Sequence, residues 1–257
     1  MKKSIVLILI ILLVMVSASH AQRWKLRRWE AMMGIGTSNY FGDIGGAADE
    51  QNWFGLKDLE IGQTRPSFFL GLRYKIEPDL AIRGNLLYGY LSGNDLGSKN
   101  NDRAYSFSST LFEPSIVAEY YFISEEERRR SSALFSKRGM LNNYSKIGVY
   151  FFAGVGATFF NPNLEADLST RSIDEYSGYN TFTLAIPIGL GLKYVIDDNL
   201  SLGFSLGGRF TFSDYLDSFN PSVSANTAND IYYMSSLSVI YRVKTDRYGR
   251  PVMFRRR

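Results

Sequence analysis

The chain has 257 residues, of which 45% are hydrophobic, 15% aromatic and 21% charged, with no Cys and a single His. These counts exclude a disulfide scaffold, and a mean hydropathy of -0.13 excludes a bundle of membrane helices. The formal net charge is +4, and about +2 without Lys2 and Lys3, which argues against a nucleic-acid partner. The 17 Tyr and 18 Phe make an unusually aromatic chain.

The first predicted element is a secretory signal over residues 1–21. Two lysines precede an apolar run of 12 residues, and a small-x-small cleavage site ends at Ala21. The run is shorter than the roughly 20 residues that a membrane-spanning helix needs. Cleavage there also removes His20, so we expect a mature chain without His.

Alternation of large apolar with small or polar residues predicts strands, because successive side chains of a strand point to opposite faces. The clearest case is residues 181–196, followed by a turn and a second alternating run from Leu200, which predicts a hairpin. Glu113-Pro114 interrupts the alternation of the fourth strand, which predicts a bulge or an edge there. In chain order, the predicted strands are residues 29–41, 67–76, 80–92, 104–123, 147–160, 181–196, 200–212 and 231–243.

The lengths of the connections predict an orientation. Three-residue turns at 77–79 and 197–199 alternate with long connections, as periplasmic turns alternate with extracellular loops in outer-membrane barrels. Both termini are therefore expected in the periplasm. The long connections are residues 42–66, 93–103, 161–180 and 213–230. The connection at 124–146 is the exception, since it falls on the periplasmic side and is nevertheless long and charged.

Aromatic residues lie near the ends of the predicted strands. They include Phe68 and Tyr74, Phe182 and Tyr194, and Tyr233 and Tyr241. Rings at both headgroup levels are typical of the girdles of a membrane barrel. The inverse assignment, a soluble ligand-binding barrel, would bury these rings in a closed core. We therefore expect a barrel in the bacterial outer membrane, surrounded by outer-membrane lipid.

An eight-stranded barrel is too narrow for an aqueous channel, because side chains fill its interior. Several charged residues fall on the lumenal face by their registers. They are Arg73, Arg83, Glu113, Glu119, Lys193 and Arg209. Two interpretations remain open: a static network of ion pairs that plugs the lumen, which we favour, or a gated conduit lined by charges.

Basic residues are concentrated on the predicted periplasmic side. Residues 22–28 carry four, 124–146 six and 244–257 six, whereas the predicted extracellular loops are acidic. The basic segments either contact phospholipid headgroups or dock a periplasmic partner. The candidate partner-binding residues are Arg128, Arg129, Arg130, Lys137, Arg138, Arg247, Arg250, Arg255, Arg256 and Arg257. The loop acids include Glu165, Asp167, Asp174, Glu175, Asp214, Asp217 and Asp230.

The charged connection at 124–146 has two open interpretations. Ser124 followed by Glu127 matches a capping box, and Glu125 and Glu126 would suit a first helical turn. A short periplasmic helix is one expectation, and a charged loop without helix is the other.

Three stretches resemble the PorG-type outer-membrane barrel family of the type IX secretion system. They are Gln22-Arg23-Trp24-Lys25 through Trp29-Glu30, then Gly34-Ile35-Gly36-Thr37-Ser38-Asn39-Tyr40-Phe41-Gly42-Asp43-Ile44-Gly45-Gly46, and Lys244-Thr245-Asp246-Arg247-Tyr248-Gly249-Arg250-Pro251. The resemblance implies a barrel that associates with the periplasmic ring proteins of the secretion machine and helps to hold them at the outer membrane.

Catalysis is not expected, because small outer-membrane hydrolases use a His as general base and the mature chain has none. No cofactor or metal is expected either. The sequence thus predicts an all-β, eight-stranded antiparallel transmembrane β-barrel: a signal peptide at 1–21, the barrel at 22–243 and a basic periplasmic tail at 244–257. We expect a structural component of a secretion machine; the alternative is a generic small barrel acting as receptor or narrow transporter through its acidic loops.

Overall fold

The computed structural model describes residues 28–42, 44, 61–95, 105–125, 146–166, 181–213, 215–218, 229–245 and 251. These residues form eight strands and one short 3₁₀ helix, Ile61–Gln63. The strands are β1 Trp29–Phe41, β2 Arg65–Lys75, β3 Leu80–Asn94, β4 Tyr105–Ile123, β5 Ile147–Ala166, β6 Phe182–Val195, β7 Leu200–Thr211 and β8 Ile231–Val243. Each strand pairs with its neighbours in sequence, and β1 pairs with β8, which closes the barrel.

The structure confirms the fold class, an all-β closed antiparallel barrel of eight strands. β1 and β8 have the predicted bounds, but β5 continues past Phe160 to Ala166, and β3 continues to Asn94. The ladder between β4 and β5 accordingly runs out to the pair Tyr105↔Ala166. The polar residues that end the apolar alternation at Asn161 are therefore still strand, because backbone pairing does not require apolar side chains.

The bulge expected at Glu113-Pro114 lies elsewhere. Burial alternates without interruption through both residues, and the register shift in the β4–β5 ladder falls between Tyr121 and Ile123. Pro114 keeps its place in the strand because its ring needs only an extended backbone. What it lacks is an N–H to donate, which removes ladder bonds without shifting the register.

The barrel has two dissimilar ends. The end where β1 and β8 meet at Trp29 and Val243 also carries the tight β2–β3 and β6–β7 turns, and we call it the turn end. In the second turn Asp197 Oδ1 accepts bonds from the backbone N–H groups of Asn199 and Leu200, both at 2.7 Å. These two bonds hold the pKa of the exposed Asp197 carboxyl below its ordinary value. The opposite end, with the long connections, is the loop end.

The outer face of the barrel is apolar and the inner face is polar. Outward residues such as Ile35, Ile116 and Val155 are 65%, 62% and 67% exposed, although they are aliphatic. Arg73, Glu30 and Lys193 are by contrast fully buried inside. A soluble barrel would show the reverse arrangement, so the soluble ligand-binding alternative is excluded.

Aromatic rings also fill the lumen, at positions where a neighbouring strand has a glycine. The ring of Tyr150 lies where a Cβ on Gly191 would stand, so only glycine fits at that position of β6. Tyr150 packs at 4.9 Å from the ring of Tyr121 and is 2% exposed. Among the described residues, no helix is long and apolar enough to cross a membrane.

Candidate functional site: the charged lumen

The turn end of the lumen contains a dense group of buried ionic side chains, which we call the turn-end ion cluster. Six strands or their ends contribute to it, and every member is at least nine-tenths buried. Its members are Glu30, Arg73, Lys75, Arg83, Glu119, Glu125, Lys193 and Arg242.

Glu30 of β1 is the central acid of the cluster. Its Oε2 lies 2.9 Å from Arg73 Nη1, and its Oε1 lies 2.5 Å from Lys193 Nζ and 3.1 Å from Arg242 Nε. Lys75 Nζ is a further 3.5 Å contact of Oε1. One carboxylate therefore joins β1 to β2, β6 and β8, across the diameter as well as around the wall.

A second acid, Glu119 of β4, links the cluster to a layer of aromatic rings. Glu119 Oε2 lies 2.5 Å from Arg73 Nε, and its Oε1 lies 3.1 Å from Arg83 Nη1. The guanidinium carbon of Arg83 lies 5.2 Å from the Phe152 ring centroid and 5.5 Å from that of Phe69. A cation over the face of an aromatic ring gains a cation–π interaction that partly replaces its lost hydration. The rings of Phe69 and Phe152 therefore fill the lumen and also stabilise the buried charge of Arg83.

Glu125 enters the cluster from beyond the end of β4. Its Oε1 lies 2.6 Å from both Lys75 Nζ and Lys193 Nζ, and 2.9 Å from Arg242 Nη2. Burial disfavours its charged form, but the ammonium groups of Lys193 and Lys75 outweigh burial and hold the pKa of Glu125 below the ordinary glutamate value. The start of the β4–β5 connection is thus tied into the barrel by one carboxylate.

The expectation that Glu125 lies in the first turn of a periplasmic helix is wrong. It occupies a turn, with its side chain in the lumen, and Ser124 Oγ donates to the carbonyl of Pro78 at 2.6 Å. Attraction to three cations holds the Glu125 carboxylate in the lumen, and the rest of the predicted helix lies outside the described residues. The predicted cap partner Glu127 lies outside the described residues.

A separate ion pair occupies the middle of the lumen. Glu113 Oε2 accepts a 2.5 Å bond from Tyr232 Oη and lies 3.6 Å from Arg209 Nε, and Arg209 Nη1 donates to the carbonyl of Gly207 at 2.8 Å. Glu113 Oε1 and Arg209 Nε lack a hydrogen-bond partner. Tyr232 Oη also lies 3.1 Å from Thr158 Oγ1, so β4, β5, β7 and β8 are connected at this level.

The loop end is closed by apolar side chains, which we call the loop-end plug. Its buried members are Tyr40, Ile44, Leu87, Leu91, Phe107, Leu111, Phe160, Leu216, Tyr232 and Met234. Ile44 and Leu216 come from outside the strands, so the segments that follow β1 and β7 fold into the mouth. Within the described residues, hydrophobic side chains therefore fill one end of the lumen and ion pairs fill the other.

Two acids of the predicted extracellular loops are buried beside the plug. Tyr40 Oη lies 2.8 Å from Asp217 Oδ2 and 2.5 Å from Asp230 Oδ1, and the backbone N–H of Leu216 donates to Asp230 Oδ2 at 2.9 Å. Asp217 and Asp230 are 0% and 1% exposed. Their carboxylates anchor residues 215–218 to the wall instead of facing solvent.

The predicted lumenal charges lie together inside the barrel, four in the turn-end ion cluster and two in the middle pair. All are buried: Arg73, Arg83, Glu113, Glu119, Lys193 and Arg209. The candidate partner-binding residues lie outside the described residues: Arg128, Arg129, Arg130, Lys137, Arg138, Arg247, Arg250, Arg255, Arg256 and Arg257.

Sequence reasoning missed Glu30, Lys75, Glu125 and Arg242. Lys75 follows Arg73 by two residues and so shares its face, and the same parity argument applied to β1 and β8 would have found Glu30 and Arg242. No alternation signal covers Glu125, because it follows the last strand residue.

These side chains form a structural network. The described residues contain no group of three or more His, Cys, Asp or Glu that could hold a metal ion. Buried charges are costly unless paired, and every acid of the turn-end ion cluster contacts at least two cations. Removing one partner would leave the others unpaired in a low-dielectric lumen.

A closed antiparallel barrel with an apolar exterior and a filled, charged interior leaves no sheet edge unpaired and presents a largely apolar surface to lipid. The protein is therefore an outer-membrane β-barrel protein. The chain belongs to the family described as Domain of unknown function (DUF6089), whose sequence profile matches residues 3–241.

Comparison with curated proteins gives no match. Similar solved structures include the outer membrane protein OprG from Pseudomonas aeruginosa, at 10% identity over 85% of this chain and 97% of that chain, with a TM-score of 0.45. Ail, the attachment invasion locus protein of Yersinia pestis, has 10% identity over 84% and 98%, with a TM-score of 0.41. A major outer membrane protein from Thermus thermophilus has 16% identity over 83% and 99%, with a TM-score of 0.40.

Proposed function

We propose that this protein is a structural outer-membrane component of a protein secretion machine, of the type IX kind, and that its turn end contacts the machine's periplasmic ring complex. The observation that carries the proposal is the convergence of basic segments at one end. β1 begins, β4 ends and β8 ends at the turn end, and the basic stretches at residues 22–28, 124–146 and 244–257 are joined in sequence to these three strand ends. On this proposal the turn end faces the periplasm.

The first basic segment has a different role from the other two. Arg28 Nη1 donates to Tyr74 Oη at 2.9 Å, on the outer face where an aromatic girdle meets lipid headgroups. Headgroup contact accounts for such an arginine. Docking of the ring proteins is accordingly assigned to residues 124–146 and 244–257, which are the longer two of the three basic segments.

The filled lumen supports a structural role over transport. Ion pairs occupy the turn end and apolar side chains occupy the loop end, as expected where side chains fill the interior of an eight-stranded barrel. The burial of Asp217 and Asp230 also weighs against the alternative of a receptor that binds its ligand through acidic loops. These two loop carboxylates face the barrel interior and are not available to a ligand.

The secretion system itself is proposed from the resemblance in three stretches, of which the last covers the start of the tail. The bridge between Thr245 and Pro251 places these two residues side by side, with Arg247 and Arg250 on the connection between them. A basic connection at the turn end matches what docking to an acidic or mixed-charge ring protein requires.

The test replaces Arg247, Arg250, Arg255, Arg256 and Arg257 together by Gln, with the same five positions changed to Lys as the matched control. We expect the Gln variant to reach the outer membrane folded, to lose its copurifying periplasmic proteins and to impair secretion. The Lys variant should keep both, and its complex should dissociate as salt rises. Equal copurification and secretion by the Gln variant would contradict the proposal and leave headgroup contact as the role of these arginines.

A further inference from the structure

Two prolines stand inside the sheet on either side of β5. The β4–β5 ladder passes from Phe112↔Phe159 to Ser115↔Gly156 without pairs for Glu113 and Pro114, and the β5–β6 ladder passes from Ala153↔Ile188 to Gly156↔Ala185 without a pair for Pro187. Proline has no N–H to donate, so it is normally confined to sheet edges and bulges. β5 is therefore held with fewer bonds on both sides near its middle.

The outer surface of the barrel has a depression next to Pro114. An apolar depression of about 800 Å³ is lined by residues of β1 to β6. Most of them face outward to lipid, and the inward residues Met32, Asn85 and Ser115 also border it. Its floor includes Gly84, Pro114 and Ala157, and a Cβ placed on Gly84 would meet nothing within 4 Å. Its rim is formed by outward aliphatic side chains: Leu70, Leu72, Leu86, Ile116, Val155 and Leu184.

We propose that this depression is a binding site for one acyl chain of an outer-membrane lipid. It lies within the apolar belt, where lipid chains are the surrounding solvent, and its outward side chains are aliphatic without polar groups. Within a membrane the gain comes from van der Waals contact, and a chain lying in a concave groove touches more protein atoms than one on a convex wall.

Large outward side chains follow one another on β7. On β7 the outward positions are Leu202, Phe204 and Leu206, each between 39% and 51% exposed. A lipid chain there meets a convex surface and exchanges freely with its neighbours. The groove should therefore restrict one chain more than the opposite wall does.

The test uses vesicles of dimyristoyl phosphatidylcholine that contain a phosphatidylcholine spin-labelled near its chain end. We expect wild-type protein to show a motionally restricted lipid component, and Gly84→Phe to lose the equivalent of one restricted chain per barrel. Ala157→Leu fills the same hollow from β5 and should give the same loss. Leu206→Phe on β7 is the matched control and should leave the component unchanged, with folding of each variant checked by heat-modifiable migration.

Two results would overturn the proposal. One is a restricted component of equal size in wild type and in both filled variants. The other is efficient disulfide cross-linking of two Ile116→Cys chains in the same vesicles, which would make the groove a contact between copies. The natural chain has no Cys, so such a cross-link reports only this position.

Discussion

Glu30 is the residue on which the turn-end ion cluster depends most. It contacts Arg73, Lys75, Lys193 and Arg242 and is fully buried. A buried ion pair adds little compared with apolar packing, but breaking one leaves an uncompensated charge. The cluster is for this reason better understood as a set of mutually required partners than as a sum of separate attractions.

Replacing Glu30 by Gln should destabilise the barrel by about 3–5 kcal/mol, because the amide keeps the shape and removes the charge that its cations need. The measurement is urea unfolding of the protein in lipid vesicles. Glu77→Gln, at an exposed position of the β2–β3 turn, is the control and should change stability by less than about 0.5 kcal/mol. Equal stability of the two variants would show that the cluster does not hold the wall together.

Glu125 should give the protein an acid-sensitive component of stability. Lys193 and Lys75 lower its pKa despite burial, so its contribution is fully present above the unfolded-state value of about 4.3 and is lost as pH falls below it. Unfolding free energies measured down this range should fall more steeply for wild type than for Glu125→Gln. Identical pH dependence of the two proteins would mean that Glu125 is not held as the charged partner of these lysines.

At the scale of the strands, the alternation of apolar and polar residues predicted most of the strand positions and faces. It placed β1 and β8 correctly and assigned outward faces, because lipid demands large apolar side chains at every second position. It ended β5 too early at Phe160, since beyond the belt the pairing with β4 continues without apolar side chains. The alternation could not place the side chain of Glu125, because its position depends on cations from three distant strands.

Pro114→Ala should complete the β4–β5 ladder. The register from Phe112↔Phe159 to Ser115↔Gly156 sets position 114 opposite Ala157, so we expect the new N–H to bond the Ala157 carbonyl. One net hydrogen bond of about 0.5–1.5 kcal/mol should slow local amide exchange roughly 2- to 12-fold. Hydrogen exchange of the peptide covering residues 154–158 is the measurement. Pro78→Ala in the β2–β3 turn gains no ladder bond and should leave that peptide unchanged. Unaltered exchange in Pro114→Ala would show that the missing N–H does not weaken β5.

At the scale of the whole molecule, the barrel combines an apolar outside with a lumen filled by side chains, and three basic stretches of the sequence are joined to strand ends at the turn end. The first two properties are those of an outer-membrane barrel whose described interior is filled by side chains. The basic segments make the two ends of the barrel different, and a basic end can bind a partner protein only on the side of the membrane where that partner is found. The proposed function therefore depends on which side the turn end faces.

Cysteine labelling in intact cells tests that orientation most directly, since the natural chain has no Cys to confuse the result. Glu77→Cys places a thiol in the exposed β2–β3 turn, and Asn229→Cys places one at an exposed position just before β8 at the loop end. With a membrane-impermeant maleimide, we predict that Asn229→Cys is labelled in intact cells, and Glu77→Cys only after the outer membrane is permeabilised. Labelling of Glu77→Cys in intact cells, with Asn229→Cys protected, would put the basic segments outside the cell and contradict docking to a periplasmic ring.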